Sequence, residues 1–255
     1  MNIFEFEQVD STQNILRNWF RKNDRRFFDG AVVIANHQTS GKGRNGHNWE
    51  DCESKSLLMS VVVSIPDDEY NRRNLSVISF QAGVSVVQSL NTIFGNKLSS
   101  SQKFGIKWPN DIIFKNNEKY YKIAGLISEF IGERDSRLWC SVGVGINLFQ
   151  EKDELPKQTS IPAASLGMFF DLIDFKKIEL INYFTEDLSK KIYEFDIEKI
   201  RFSFEKLWFK PELIKVNEII GVPIGLGEEL ELFVKNQDNS NMFPVIADDT
   251  EIIEW

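Results

Sequence analysis

Gly41-Lys42-Gly43-Arg44-Asn45-Gly46 stands between Gln38-Thr39-Ser40 and Trp49, and Lys107-Trp108-Pro109-Asn110-Asp111 follows further along the chain. Glycines at alternate and third positions let a backbone bend into left-handed conformations and bring its N–H groups close to a ligand. Interleaved Lys42 and Arg44 add positive charge at the same place. Such a loop suits a phosphate or another anion, although the same composition also makes an ordinary solvated hairpin. No Gly-Lys-Ser/Thr ends it, and its spacing is not that of a dinucleotide fingerprint opening a helix. A kinase or a Rossmann enzyme is therefore disfavoured.

In the second string Trp108-Pro109 stops a strand, and the proline ring fixes the backbone around it, so that Asn110 and Asp111 are held at a bend. The flanking residues read as apolar strands, Phe104-Gly105-Ile106-Lys107 before and Ile112-Ile113-Phe114 after. Taken alone, the Asn-Asp pair reads equally as a simple turn. A third string, Lys122-Ile123-Ala124-Gly125-Leu126-Ile127-Ser128-Glu129, is a strand with a lysine at its start and a small Ala-Gly pair where large side chains are expected. A fourth, Val142-Gly143-Val144-Gly145-Ile146-Asn147-Leu148, repeats the device. Glycine weakens a strand unless something must come close, so two such strands side by side would leave a slot for a flat ligand; close packing or a bulge is the competing explanation.

In order and spacing, Ser11-Thr12-Gln13, Gly41 to Gly46, Lys107 to Asp111, Lys122 to Gly125 and Gly143 to Asn147 resemble the catalytic domain of biotin protein ligases, across residues 3 to 148. The resemblance implies an ATP-dependent, AMP-forming ligase without an N-terminal DNA-binding domain. Such an enzyme joins biotin to ATP as biotinyl-5′-AMP, then transfers biotin to a lysine of a biotin carboxyl carrier protein or another acceptor domain, such as that of acetyl-CoA carboxylase. It also implies an α+β fold, a mixed sheet packed with helices of the class II synthetase-like kind shared by biotin and lipoate ligases. A catalytic domain over 1–209 would be followed by a small SH3-like barrel over 210–255.

Site roles follow from the same resemblance. Arg44, Lys42 and Lys122 would surround the carboxylate and phosphates, with Gly41, Gly43 and Lys107 beside them and Mg²⁺ carried by the nucleotide. Ser11, Thr12 and Gln38 would hold the urea-like head of biotin, while Gly125 and Gly143 leave room for its bicycle. Adenine would fall near Asn110, Trp49 and Asn147. Asp111 would receive the incoming acceptor lysine, so Arg44, Lys122 and Asp111 form the expected catalytic set. The chain departs from the family pattern at Lys42, where arginine is usual, and at Gln13, where asparagine is common. Lysine keeps the charge and loses the planar fork. Lipoate ligase or octanoyltransferase chemistry is the alternative, with a ligand sensor or scaffold that has kept the pocket as a third.

The composition fits an enzyme of this sort. At 255 residues the chain can bury a large core, and its 42% hydrophobic and 27% charged content is ordinary for a globular protein. A formal charge of −8 disfavours general nucleic-acid binding. A local patch of Lys42, Arg44, Lys107 and Lys122 still suits ATP, because screening confines charge effects to about 8 Å at physiological salt. Ser11 lies too near Met1 to leave room upstream for a helix-turn-helix, and the N-terminus does not read as a signal peptide. No stretch reads as a membrane span. Cys52 and Cys140 form no Cys-x-x-Cys pattern and His37 and His47 no metal cluster, so a cytoplasmic protein without its own metal site is expected. Neither DNA nor membrane is an expected partner; a homodimer stays open.

Hydrophobic periodicity predicts strands at Ile3 to Val9, Ala31 to Ala35, Leu57 to Ile65, Phe104 to Trp108, Asp111 to Lys115, Tyr121 to Ile131 and Leu138 to Leu148. Helices are predicted from a Ser11 cap through Asn14 to Lys22, over Leu75 to Phe94 with Gly95 as stop, and at Phe175 to Phe195 and Ile197 to Leu207. Past Lys210-Pro211, short strands are predicted at Leu213 to Val216, Val222 to Leu226, Leu230 to Val234, Met242 to Ile246 and Glu251 to Ile253. Phe195, Phe202, Phe204, Trp208 and Phe209 read as the seam between domains.

Overall fold

The computed structural model describes residues 2–73, 75–157, 161–216, 219–238, 241–245 and 250–254. The larger sheet contains β1 (Asn2–Val9), β2 (Ala31–Gln38), β3 (Ser56–Pro66), β4 (Gln102–Lys107), β5 (Asp111–Asn116), β6 (Lys119–Arg134) and β7 (Arg137–Asn147), in the order β1-β2-β3-β7-β6-β5-β4. β1 and β2 run parallel, because α1 (Thr12–Arg21) carries the chain back between them; the remaining neighbours are antiparallel.

β3 shows how one strand serves two cores. Leu57, Met59, Val61, Val63 and Ile65 enter the larger hydrophobic cluster, while Val62 points to the opposite face. That smaller cluster holds Leu16 and Trp19 of α1 with Ala31, Val33 and Phe27. Burial on both faces explains why β3 reads as an apolar run broken only by the buried Ser60 and Ser64, and not as an alternation. The larger cluster is covered by α3 (Val77–Phe94), α4 (Lys177–Glu194) and α5 (Ile197–Leu207). The apolar segment Val77–Lys97 is long enough, at 21 residues, to cross a membrane by length and composition. The sequence reading missed this, but 72% of the segment's apolar window is buried as the core helix of this domain.

Several boundaries differ from the sequence expectation. α1 follows Ser11, which takes the predicted cap position in an extended conformation although its hydroxyl makes no capping bond, and it ends at Arg21, one residue before the predicted Lys22. α3 begins at Val77 and not Leu75; it ends at Phe94 with Gly95 in the cap position as expected, although Gly95 has a φ of −54 and the chain continues as a 3₁₀ turn over Gly95–Lys97. A short helix, α2 (Glu69–Arg73), carries no periodic signal and was not expected. Cys140 is buried in β7, which pushes its thiol up to about 12 and leaves it an inert core group.

The C-terminal strands β8 (Leu213–Val216), β9 (Ile219–Leu226), β10 (Leu232–Asn236), β11 (Met242–Val245) and β12 (Thr250–Glu254) form a five-stranded antiparallel sheet in the order β11-β10-β9-β8-β12. Ile246, expected in the fourth of these strands, lies outside the described residues. Of the aromatic stripe, Phe204 is fully buried against Phe80, while Trp208 and Phe209 cross to the edge of β4. Phe202 is no part of the seam: it is 59% exposed, with Lys206 Nζ 3.9 Å above its ring.

Candidate active site

One row of backbone pairs runs across five strands, from Lys107 to Asp111, Gly125, Gly145 and Leu58. Side chains in such a row share a face of the sheet, and here it is the α1 face. Strict alternation would put Lys122 on the other face, since it stands three residues from Gly125. A β-bulge intervenes: Ile112 pairs with Ala124 and Ile113 with Lys122, so Ile123 is skipped. The bulge turns Lys122 onto the row, and its Nζ lies 2.7 Å from Asp111 Oδ1. Lys122 is further pinned by a parallel bridge to Ala163, Lys122 N donating to Pro162 O at 2.9 Å and Ala164 N to Lys122 O at 2.9 Å.

Lys107 Nζ lies 3.7 Å from the other Asp111 oxygen. Burial holds the Lys107 ammonium below its ordinary range; Asp111 opposes this, while Lys122 and Arg44 add to it. The Asp111 carboxylate, which the resemblance assigned to the incoming amine, thus has both oxygens facing lysines of the chain itself.

The glycine-rich segment is a tight hairpin. Gly43 N donates to His47 O at 2.8 Å and Trp49 N to Gly41 O at 2.9 Å, with a 3₁₀ turn over Arg44–Gly46 between them. Gly46 needs to be glycine because its φ is +76. Gly41 needs to be glycine because a Cβ there would stand 2.5 Å from Trp49 O. Arg44 Nη1 donates to Asn110 Oδ1 at 3.3 Å, and Asn110 Nδ2 donates to Leu126 O at 2.6 Å, so the hairpin is tied to the β4–β5 turn. His37 Nδ1 lies 3.0 Å from Asp51 Oδ2, which anchors the chain just past Trp49 to β2.

A cavity of about 720 Å³ opens between these parts. The hairpin contributes Lys42, Gly43, Arg44 and Trp49 to its wall, and the β4–β5 turn contributes Lys107, Asn110 and Asp111. β6 and β7 supply Lys122, Gly125, Gly143 and Asn147, and the start of α1 supplies Ser11 and Thr12, with Gln38 beside them. Every site residue expected from the sequence therefore meets there except Gly41, which shapes the hairpin from behind.

Individual placements differ from the roles implied. Bare backbone at Gly125 and Gly145 faces the Trp49 ring, which a Cβ would meet at 2.9 and 2.4 Å. At Gly143 the space is taken by the Gln13 amide, with Nε2 3.0 Å from the position of a Cβ. These glycines make room for Trp49 and Gln13 and not directly for a ligand. Asn147 is buried as a structural hub, donating to Ala164 O at 3.3 Å and accepting from Gln150 Nε2 at 3.0 Å. Thr12 is likewise committed, its N donating to Gln38 Oε1 at 2.8 Å and its hydroxyl lying 2.7 Å from Ser60 Oγ.

Ser11 Oγ, Gln13 Oε1 and Trp49 Nε1 are buried in this wall without a protein partner. An orphaned buried polar atom is destabilising by about 1–3 kcal/mol, so three in one wall mark a surface made for a polar ligand. Sequence reasoning had left Gln13, Gly145, His47 and Trp108 out of the site. Gly145 was findable as the residue two along from Gly143 on the same strand face. Ile161 and Ala163, which also line the cavity, carry no motif at all.

The model of the biotin/lipoate A/B protein ligase family matches residues 5–147. The chain is 30% identical over 139 residues to the bifunctional ligase/repressor BirA of Bacillus spizizenii, covering 54% of this chain and 39% of that one. It is 31% identical over 134 residues to the biotin–[acetyl-CoA-carboxylase] ligase of Mycobacterium tuberculosis, covering 52% and 45%. The matched region thus spans less than half the length of these curated relatives. A biotin protein ligase from Aquifex aeolicus, solved in complex with biotin and ATP, superposes with a TM-score of 0.71 at 23% identity, covering 100% of this chain and 99% of that one. That likeness establishes the fold.

Proposed function

Because the chain belongs to the biotin/lipoate A/B protein ligase family, we propose that it activates biotin with ATP to biotinyl-5′-AMP and passes the biotinyl group to a lysine of an acceptor domain. The observation that carries this reading is a cavity whose wall holds Arg44, Lys107 and Lys122 together with the neutral polar residues Ser11, Gln13 and Gln38. The named functions of the relatives, biotin ligases in several bacteria, agree with it.

In the first step a carboxylate oxygen attacks the α-phosphorus of ATP and the bond to pyrophosphate breaks. Two unit charges of like sign 4 Å apart repel by about 4 kcal/mol near a protein surface, so fixed cations are needed to bring them together. Arg44 and Lys122 supply them, already oriented by Asn110 and Asp111. Mg²⁺ enters with the nucleotide, bound to its phosphates. In the second step the neutral acceptor amine attacks the acyl carbon, the acyl–phosphate bond breaks, AMP leaves and the amine gives up its proton to water. With both its oxygens facing lysines, Asp111 acts chiefly to hold Lys122 in place.

The unpartnered acceptors Ser11 Oγ and Gln13 Oε1 suit the N–H groups of a cyclic urea, which a lipoyl or octanoyl chain lacks. We propose further that the enzyme is cytoplasmic and that its partner is an acceptor domain, the formal charge of −8 disfavouring DNA. The test is pyrophosphate release with ATP and either biotin or lipoate, followed by transfer to a purified biotin carrier domain. Release with biotin alone is the expected result. Release with lipoate alone moves the assignment to the other branch of the family, and release with neither removes the ligase reading.

A further inference from the structure

The hairpin is held from both sides, and the second hold involves residues that the proposed chemistry does not use. Lys42 Nζ does not reach toward Lys107 or Lys122. It donates to Asn14 Oδ1 at 2.7 Å and lies 3.9 Å from Glu129 Oε1. Arg17 completes the cluster, with Nη2 paired to Glu129 Oε2 and Nη1 donating to Asn14 Oδ1 at 3.2 Å. Asn14 cannot turn its amide around, because its Nδ2 is bonded to Asp10 Oδ2 at 2.7 Å, so Oδ1 must face the two cations. The groups come from the hairpin, from α1 and from β6, and are only partly exposed, Glu129 at 21%.

We propose that Glu129, with Asn14 and Arg17, is a positioning residue that staples Lys42 to the body of the domain and holds the hairpin over the cavity before any ligand arrives. Lys42 is then a tether, and the cationic work of the site falls to Arg44, Lys107 and Lys122. Lysine suits this use: a compact ammonium on a long stem needs acceptors and no bidentate geometry. The hairpin is thereby pinned at Lys42 by the staple and at Arg44 by Asn110, on either side of Gly43.

The consequence for retention of the reactive acyl-adenylate rests on the ligase reading; the staple itself does not, and two measurements separate them. In the ligand-free protein, hydrogen exchange of a peptide spanning 39–50 should be faster in Glu129→Gln by about threefold, the size expected for one partly exposed charge pair. Asn14→Ala should act in the same direction, and the thermal midpoints of both variants report that the fold persists. Unchanged exchange in both variants overturns the staple, whatever the enzyme does. With biotin and ATP, Glu129→Gln should release pyrophosphate at the wild-type rate while labelling added serum albumin about threefold more. Adding Lys42→Met to Glu129→Gln should then increase albumin labelling little further, since both changes cut the same tie. A fully additive effect of Lys42→Met, or a pyrophosphate rate that falls with Glu129→Gln, overturns the assignment of Lys42 as a tether. Wild-type protein that makes no pyrophosphate rejects the ligase reading and leaves the exchange result to decide the staple.

Discussion

Lys122 is the residue on which the proposed chemistry most depends, because a bulge in β6 exists to aim it and Asp111 holds it at 2.7 Å. Lys122→Ala should lower pyrophosphate release by about 10²–10³-fold, the range seen when a preorganised charge-stabilising donor is removed. It should leave circular dichroism and the cooperative melt intact. A near-normal rate in the folded variant would remove Lys122 from the transition state. Lys107 makes a different prediction. Its folded pKa lies below the ordinary 10.5, so between the two values the unfolded chain binds more protons and stability rises with pH. Below the folded value the penalty of burying the ammonium is fully present. Lys107→Met should therefore raise the denaturation midpoint at neutral pH, by a margin that shrinks toward pH 10.5. A constant margin across that range would mean that burial is not what perturbs the group. At this scale the sequence was informative wherever a residue type announces its chemistry, as Arg44, Lys107 and Lys122 do in an acidic chain. Silent were Gln13 and Trp49 against Gly143 and Gly145, since which side chain fills a glycine's space depends on packing between segments remote in sequence.

The hairpin between β2 and β3 is the element where local sequence and site meet. Two of its three glycines have a stated cause, Gly46 a left-handed φ and Gly41 the approach of Trp49 O, and the loop was legible as a bend before its partners were known. The strands were legible too, through apolar runs and alternation; their pairing was not, because β1 beside β2 in parallel and β7 between β3 and β6 are long-range choices set by core packing. The bulge that turns Lys122 inward has no sequence signal beyond the small Ala124-Gly125 pair after it. A mixed anhydride that leaves a closed site acylates stray amines, so the hairpin's grip has a chemical readout. Arg44→Gly removes the bond to Asn110 and adds backbone freedom at the middle of the hairpin. The variant should still form some biotinyl-adenylate but release it, and albumin added to the reaction should become labelled along with the carrier. Labelling confined to the carrier in an active variant would show that the hairpin does not retain the intermediate.

At the scale of the whole molecule the question is how the five-stranded C-terminal sheet is joined to the seven-stranded one. Turn spacing past Pro211 made the short strands legible, but nothing local says which surface they lie against. The join is built at the free edge of β4: Phe209 N donates to Ile106 O at 2.8 Å, and Trp208 forms a parallel bridge with Ile106. Gly105 is bare so that Phe209 can lie on it, a Cβ there standing 2.5 Å from the ring. Tyr120 meets the same ring edge-on, with centroids 5.4 Å apart. Behind this contact Ile214, Val216 and Leu226 belong to the same hydrophobic cluster as α3 and β3, so both sheets share one core. Shared burial predicts one cooperative unfolding transition in the native chain. Phe209→Ala should weaken the join by roughly 2 kcal/mol, since the ring is only partly buried and a truncation there leaves less of a cavity than one in the core. Calorimetry should then find a van't Hoff enthalpy below the calorimetric one, with hydrogen exchange accelerating first over β8 to β11. If Phe209→Ala instead lowers the midpoint while the two enthalpies stay equal, the C-terminal sheet is coupled through the cluster around Ile214 and Leu226, and the β4 edge contact is secondary to it.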